Sequence, residues 1–307
     1  MPKNLKLGPW ISSKIDNSIP IKNLYSCPSA QQYADYLKSF SSLKKLDIRS
    51  NFSVLKITRL QKEFVLELSN SKSICSNILI VATGYFNNPV IPEWCQKLHD
   101  KIKIYHYSEY NNLASYLEGK ANLNVLIVGG RVSAGEILSS IDINIHNISL
   151  SSRHQINFEN PLWLQLLLSP FYYLIEKYNP KSQKKGSSVR NMAGGKTKKM
   201  FNKGLINNVG PVLGVEGNSI AFKHYHKTFD VIILATGWKP SLSFLPNELL
   251  SKSGEPICKN MQSAEWSNLF FIGFDNLISY RSRFLRGIRD DAIALAKIIK
   301  NTTIFGK

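Results

Sequence analysis

The segment Val128-Gly129-Gly130-Arg131-Val132-Ser133-Ala134-Gly135-Glu136 lies between a β-branched run and an amphipathic stretch, and that placement gives it a chemistry. A helix that starts at a glycine turn offers unpaired backbone N–H groups and the positive end of its dipole, so it can hold a diphosphate. Gly129 permits the tight turn, Gly130 and Ser133 continue it, and Ala134 takes the third, helix-packing position of Gly-x-Gly-x-x-Gly/Ala. Arg131 stands where that pattern has its second glycine. Its side chain can add a phosphate contact or crowd the site, and a βαβ turn that binds nothing is the alternative.

About twenty residues further on, a dinucleotide site that prefers NADH carries an acid for the ribose 2′-hydroxyl. This chain has Ser151, Ser152 and Arg153 there and no acid nearby. A guanidinium pairs well with a 2′-phosphate, so NADPH is the expected cofactor; an Arg that is simply exposed is the other reading. Cys27, Cys75, Cys95 and Cys258 are far apart and form no Cys-x-x-Cys pair. Neither a redox dithiol nor a zinc cluster is expected, and the four are read as reduced thiols, core or half-buried.

The elements that would position these residues follow from the hydrophobic pattern. Pro28-Ser29-Ala30-Gln31-Gln32 opens a helix through a capping box, with Ala30, Tyr33, Ala34 and Leu37 on one face. Alternation around Phe52–Ile57 and Glu63–Leu68 predicts a β-hairpin. Ile78-Leu79-Ile80-Val81, Val125-Leu126-Ile127-Val128 and Val231-Ile232-Ile233-Leu234 read as strands, the first expected to be buried on both faces. Ile148–Arg153 reads as the strand after the helix that carries Ala134, Ile137, Leu138 and Ile141. Strand, glycine turn, helix and strand make a βαβ unit in a parallel sheet. Short strands are expected around Val209–Val215 and Ser219–Phe222, then a strand at Leu269–Ile272 and a last helix from about Ile288.

In a chain of 307 residues two domains are expected. Lys and Arg exceed Asp and Glu by 39 to 21, a formal net charge of +18. The lysines are spread along the chain apart from one dense run, Lys177, Lys181, Lys184, Lys185, Arg190, Lys196, Lys198, Lys199 and Lys203, with no acid within it. A solvated loop and an anion site are both open for that run, and no nucleic-acid partner is expected. Leu162–Tyr173, with Trp163, Phe171 and Tyr172, precedes it. It could lie on an anionic membrane surface, or serve as an apolar lid or core. No apolar run reaches the length of a membrane span and no secretory signal is recognisable, so a cytoplasmic chain is expected.

Ile80-Val81-Ala82-Thr83-Gly84, the Gly129–Glu136 turn, Ala235-Thr236-Gly237-Trp238-Lys239-Pro240 and Gly287-Ile288-Arg289-Asp290-Asp291-Ala292 together resemble the flavin-containing monooxygenases, flavoproteins with two dinucleotide-binding domains. The resemblance runs from about residue 20 to 300. It implies an α/β fold in which a Rossmann-like NADPH domain, residues 113–240, is inserted into a Rossmann-like FAD domain, residues 1–112 and 241–307. It also implies that Thr83 and Gly84 lie near the flavin, Thr236 and Gly237 near the exit of the nicotinamide domain, and Gly273 and Asp275 at a strand end facing the flavin ribityl chain. NADPH, FAD, O₂ and a small-molecule substrate are the implied reactants.

Two departures from the family pattern qualify this. In the signature Phe-x-Gly-x-x-x-His, His106 can supply the histidine, but Asp100 and Ile102 occupy the Phe and Gly positions. A surface or packing role for His106 stands beside a catalytic one. The family's first strand and glycine turn, which cradle the FAD diphosphate, cannot be placed before Gly84, where Gly8 is the one glycine. The FAD domain is therefore expected to be incomplete, with Ile78–Val81 and Leu269–Ile272 each missing a neighbour. The chain reads as such a monooxygenase without its amino-terminal FAD-binding unit. The alternative is a non-catalytic remnant or subunit that binds NADPH alone, or that completes its FAD sheet with a separate polypeptide.

Overall fold

The structure, a computed structural model, describes residues 7–98, 101–160, 163–164, 167–168, 171, 191–192 and 194–304. In chain order the strands are β1 (Val54–Leu60), β2 (Glu63–Leu68), β3 (Ser73–Ser76), β4 (Leu79–Val81), β5 (Lys103–His106), β6 (Asn124–Val128), β7 (Asn147–Ser151) and β8 (Asn207–Asn208). They continue with β9 (Gly214–Glu216), β10 (Ser219–Ala221), β11 (His226–Thr228), β12 (Val231–Leu234), β13 (Cys258–Lys259), β14 (Gln262–Ser263) and β15 (Leu269–Phe271). The helices used below are α1 (Trp10–Ser13), α2 (Ala30–Leu43), α3 (Tyr110–Leu117), α4 (Val132–Ser140), α5 (Lys196–Asn202) and α6 (Leu285–Ile304).

The chain divides into two compact units. The described residues between 89 and 238 form one, built on a five-stranded sheet of order β5-β12-β6-β7-β8. Every pairing in it is parallel. β6, α4 and β7 are the βαβ unit read from the sequence, and β9–β11 form an antiparallel meander on the way to β12. The central strands are sealed: Val125, Leu126, Ile127 and all four residues of β12 have no exposure. Each such aliphatic side chain contributes about 1.5–3 kcal/mol, which makes this sheet the core that fixes the strand ends. β5 lies before the boundary expected at residue 113, yet it pairs along its length with β12 and belongs to this unit.

Residues 7–88 and 239–304 form the second unit. Ser29 caps α2 reciprocally: its Oγ accepts from the Gln32 N–H at 3.2 Å while the Gln32 Oε1 accepts from the Ser29 N–H at 2.8 Å. β1 and β2 make the expected hairpin, and β3 extends it to a three-stranded sheet. β13-β14-β15-β4 is a second sheet, in which β4 runs parallel to β15.

Several expectations are corrected here. Leu269–Phe271 does not lack a neighbour, since β15 lies between β14 and β4. Among the described residues β4 is bonded on one side only, and Ile80 is 46% exposed, so the strand is not buried on both faces. A β-branched run reports that a strand is apolar; how many neighbours it has is decided elsewhere in the chain. The strand expected at Val209–Val215 lies later, at Gly214–Glu216, and the last helix starts at Leu285. Cys75 is exposed on β3 rather than buried or half-buried. Most of the basic run (Lys177, Lys181, Lys184, Lys185, Arg190) lies outside the described residues, as do Leu162, Tyr172 and Tyr173.

Candidate functional site

The Gly129–Gly130 turn sits where β6 ends. Gly129 has φ +132°, and a Cβ on it would lie 2.3 Å from the Ala235 carbonyl oxygen beyond β12. A Cβ on Gly130 would lie 2.5 Å from Ser152 Oγ beyond β7. The turn is thus wedged between the ends of two neighbouring strands: no side chain fits at Gly129, against backbone, and one at Gly130 would have to displace Ser152. The Gly129 N–H donates to the Ser151 carbonyl at 2.8 Å, locking the turn to β7.

α4 then begins with Arg131 as N-cap, and no side chain caps it. Its first amides are therefore answered by no capping oxygen, which is the state of a helix start that serves an anion. Arg131 is exposed, Val132 and Ser133 are half-buried, and Ala134 is fully buried where the helix packs on the sheet. Arg153 stands exposed just past β7, flanked by Ser152 and His154. The structure brings Gly129, Gly130, Arg131, Ser133 and Arg153 to the ends of two adjacent parallel strands. That arrangement fits a nucleotide diphosphate.

In the same unit, Thr236 and Gly237 follow β12. Thr236 Oγ donates to the Val90 carbonyl at 2.5 Å, and Gly237 has φ +85°. His106, at the end of β5, is 2% exposed. Its Nδ1 accepts from the Ser108 N–H at 3.1 Å, so the proton is on Nε2, which donates to the Gly237 carbonyl at 3.1 Å. Its ring meets Trp238 edge-on at 5.2 Å. Burial holds the imidazole below its usual range, against the opposing pull of the Gly237 carbonyl and Glu109. His106 is a neutral packing residue that ties two strand ends together, and it is not at the surface. Beside it, the buried Tyr107 hydroxyl donates to the Glu136 carboxylate on α4. Burial first, and then that carboxylate, raise the phenol above its usual range.

The second unit gathers the residues expected near a flavin. Thr83 is exposed and its Oγ donates to the Ser241 carbonyl at 3.2 Å; Gly84 has φ +59°. Gly273 has φ +81° after β15. Asp275 accepts from Arg283 at 3.0 Å, and the Arg283 guanidinium also lies 5.0 Å from the Tyr85 ring centre. The Tyr85 hydroxyl accepts from the Asp275 N–H at 2.8 Å and donates to Glu255 at 2.9 Å. Burial is the main reason its phenol titrates above the usual range. Tyr85, Glu255 and Arg283 escaped the sequence reading; the trace of Tyr85 was its place directly after Ala-Thr-Gly, as Trp238 follows the other.

These residues could receive the ribityl end of a flavin. The diphosphate end is different. Among the described residues of this unit no helix starts at a glycine turn after a strand: α2 is closed by its own capping box and α6 follows a 3₁₀ turn at Tyr280–Arg283. The described residues therefore fit part of FAD and not the whole of it.

A family model described as pyridine nucleotide-disulphide oxidoreductase matches residues 9–273. The chain belongs to that family. Within this oxidoreductase family it is 25% identical over 285 residues to an uncharacterized oxidoreductase CzcO-like of Geobacillus kaustophilus, covering 89% of this chain and 79% of that protein. It is 25% identical over 303 residues to an uncharacterized oxidoreductase CzcO of Bacillus subtilis, covering 93% of this chain and 84% of that one. Among solved structures, a flavin-containing monooxygenase from Stenotrophomonas maltophilia superposes with TM-score 0.76 at 16% identity, over 99% of this chain and 86% of that one. A bacillithiol disulfide reductase from Bacillus cereus superposes with TM-score 0.59 at 17% identity, over 92% and 81%. The α/β fold of this oxidoreductase is thus that of the flavin monooxygenases, as the motifs had implied. No described helix is long and apolar enough to cross a membrane.

Proposed function

We propose that this chain is an FAD- and NADPH-dependent oxidoreductase of the flavin monooxygenase type, acting on a small molecule with O₂. One observation carries the reading: a helix start without a side-chain cap at the end of a central parallel strand, behind a glycine, Gly129, that admits no side chain. There the backbone N–H groups at the start of α4 bind the NADPH diphosphate, Arg131 adds a charge contact, and Arg153 meets the 2′-phosphate. Residues 113–240 are then the core of the NADP-binding domain, and Thr83, Gly84, Gly273 and Asp275 contact the flavin. His106 and Thr236 hold the strand end at Gly237 in place. When bound, the flavin supplies the redox chemistry, and the protein supplies binding, orientation and exclusion of water.

Two of the chain's cysteines, Cys95 and Cys258, are poorly suited to thiol chemistry of their own. Burial pushes Cys95 and Cys258 up to about 11, which leaves little thiolate at neutral pH. Purified protein incubated with FAD is expected to retain it, turn yellow and oxidise NADPH with consumption of O₂. Protein that takes up no flavin and leaves NADPH intact contradicts the reading.

A second reading rests on β4. Its bonding on one side only and the exposed Ile80 favour a nucleotide-binding subunit whose FAD sheet is completed by a separate polypeptide. In that case tryptophan fluorescence responds to NADPH while flavin uptake is absent. Response to neither nucleotide overturns both readings.

A further inference from the structure

We infer that a cavity between the end of α4 and α5 binds an organic acid, a carboxylate carried on an apolar body. The cavity has a volume of about 590 Å³, within the roughly 300–1,000 Å³ of small-molecule sites. It lies wholly inside the first unit. Ile141, Ile143, Met200 and Leu205 form its apolar part, and Lys196, Lys199 and Lys203 line it from the other side. Ile141 and Met200 are nearly sealed, at 6% and 5% exposure, while the three lysines are exposed. Lysines spaced three and four apart fall within about 60° of helix arc, so they share one side of α5 and its C-cap. Each stem covers apolar wall and keeps its ammonium in water.

The two walls are fastened together. The Thr197 hydroxyl, with no exposure, lies 3.0 Å from Ser139 Oγ, and Lys196 Nζ donates to the Ser139 carbonyl at 3.3 Å. These bonds fix α5 against α4 and keep the cavity between them. Charge and polarity then select the ligand. Among the described residues, neither Lys199 nor Lys203 has an ion-pair partner. Asp142 is the one acid among the described residues that line the cavity, and its Oδ1 already accepts from the Asn144 N–H at 2.9 Å. Three ammoniums against one carboxylate leave the wall cationic. A free phosphate would leave the apolar floor wet, and a neutral hydrocarbon would gain nothing from the lysines. A carboxylate on an apolar body uses both. The loop Asp142–Asn144 leads into β7, and the far end of β7 holds the Gly129 turn through the Ser151 carbonyl. The cavity is therefore at the opposite edge of the sheet from the diphosphate turn, and is a separate site.

The test is calorimetric titration of the full chain with decanoate and 2-naphthoate, and with decanol and inorganic phosphate as controls. Wild-type protein is expected to bind at least one of the two acids saturably, at least tenfold more tightly than either control, and more weakly as salt rises. The double variant Lys199→Gln with Lys203→Gln should bind the acid at least tenfold more weakly. Because both side chains are exposed, it should keep its thermal midpoint and its NADPH affinity. A second variant, Leu205→Asp, sets a carboxylate in the apolar wall at a position that is 48% exposed, and should weaken the acid as well.

Absence of saturable binding by both acids overturns the proposal, as does a control that binds as tightly as the acid. So does unchanged binding in both variants, which would put the acid elsewhere on the chain. Loss of NADPH affinity in the double lysine variant would instead assign those lysines to the nucleotide, and would also overturn it.

Discussion

Two strands in this chain end in Ala-Thr-Gly, and their surroundings differ. β12 has a parallel neighbour on each side, its four residues have no exposure, and Ala235 after it is buried beneath the Gly129–Gly130 turn. β4 has a neighbour on one side, Ile80 is 46% exposed, and Ala82 and Thr83 are open to solvent. Among the described residues, the same tripeptide therefore follows a strand flanked on both sides in one unit and an edge strand in the other. A strand end becomes a binding site through what is packed beside it.

The sharpest way to break this comparison is to shorten one side chain in each strand. Ile232→Ala on β12 should cost about 2–5 kcal/mol, because a buried cavity opens in a sealed sheet. Ile80→Ala on β4 should cost about 1 kcal/mol or less, since half of that side chain already meets water. Chemical denaturation of the two variants checks this. Equal losses would mean that β4 is covered in solution and would remove the contrast between the two strands.

A smaller effect separates the two helix starts. Arg131→Asp supplies α4 with the capping carboxylate it lacks, which should stabilise the protein by about 1 kcal/mol. It should also weaken NADPH about tenfold or more, because the new carboxylate occupies the amides and repels the diphosphate. Ser29→Ala does the reverse at α2: a loss of about 1 kcal/mol with NADPH affinity unchanged. Thermal melts paired with NADPH titrations distinguish the two.

The smallest effect concerns pH. His106 titrates below 6.5 in the folded chain, so between that lower value and 6.5 the unfolded chain binds the extra proton. Stability carried by neutral His106 is present above 6.5 and lost as pH falls below it. Melts across this window should show a fall in midpoint for wild type that His106→Gln flattens. Among the described residues no comparable histidine bonds to the turn at Gly84.

Much of this was legible in the residues. The βαβ unit, the capping box at Ser29 and the Gly129–Gly130 turn are local patterns whose period and turn chemistry the fold keeps. The limits fell where distant chain segments decide the outcome. Ile78–Val81 and Val231–Leu234 look alike as β-branched runs, and only the pairing of remote strands makes one a centre and the other an edge. His106 looked like half of a damaged signature; its tie to the Gly237 carbonyl crosses 131 positions and leaves no local mark. Arg283 and Glu255 meet around Tyr85 for the same reason, from segments far apart in the chain.

The most direct measurement is amide hydrogen exchange on the full chain with and without NADPH. Slowed exchange at Val132, Ser133 and Ala134, with the first turn of α2 unchanged, is the expected result. Unchanged exchange at those three amides while NADPH binds, with protection appearing elsewhere, would contradict the assignment of the diphosphate to this turn.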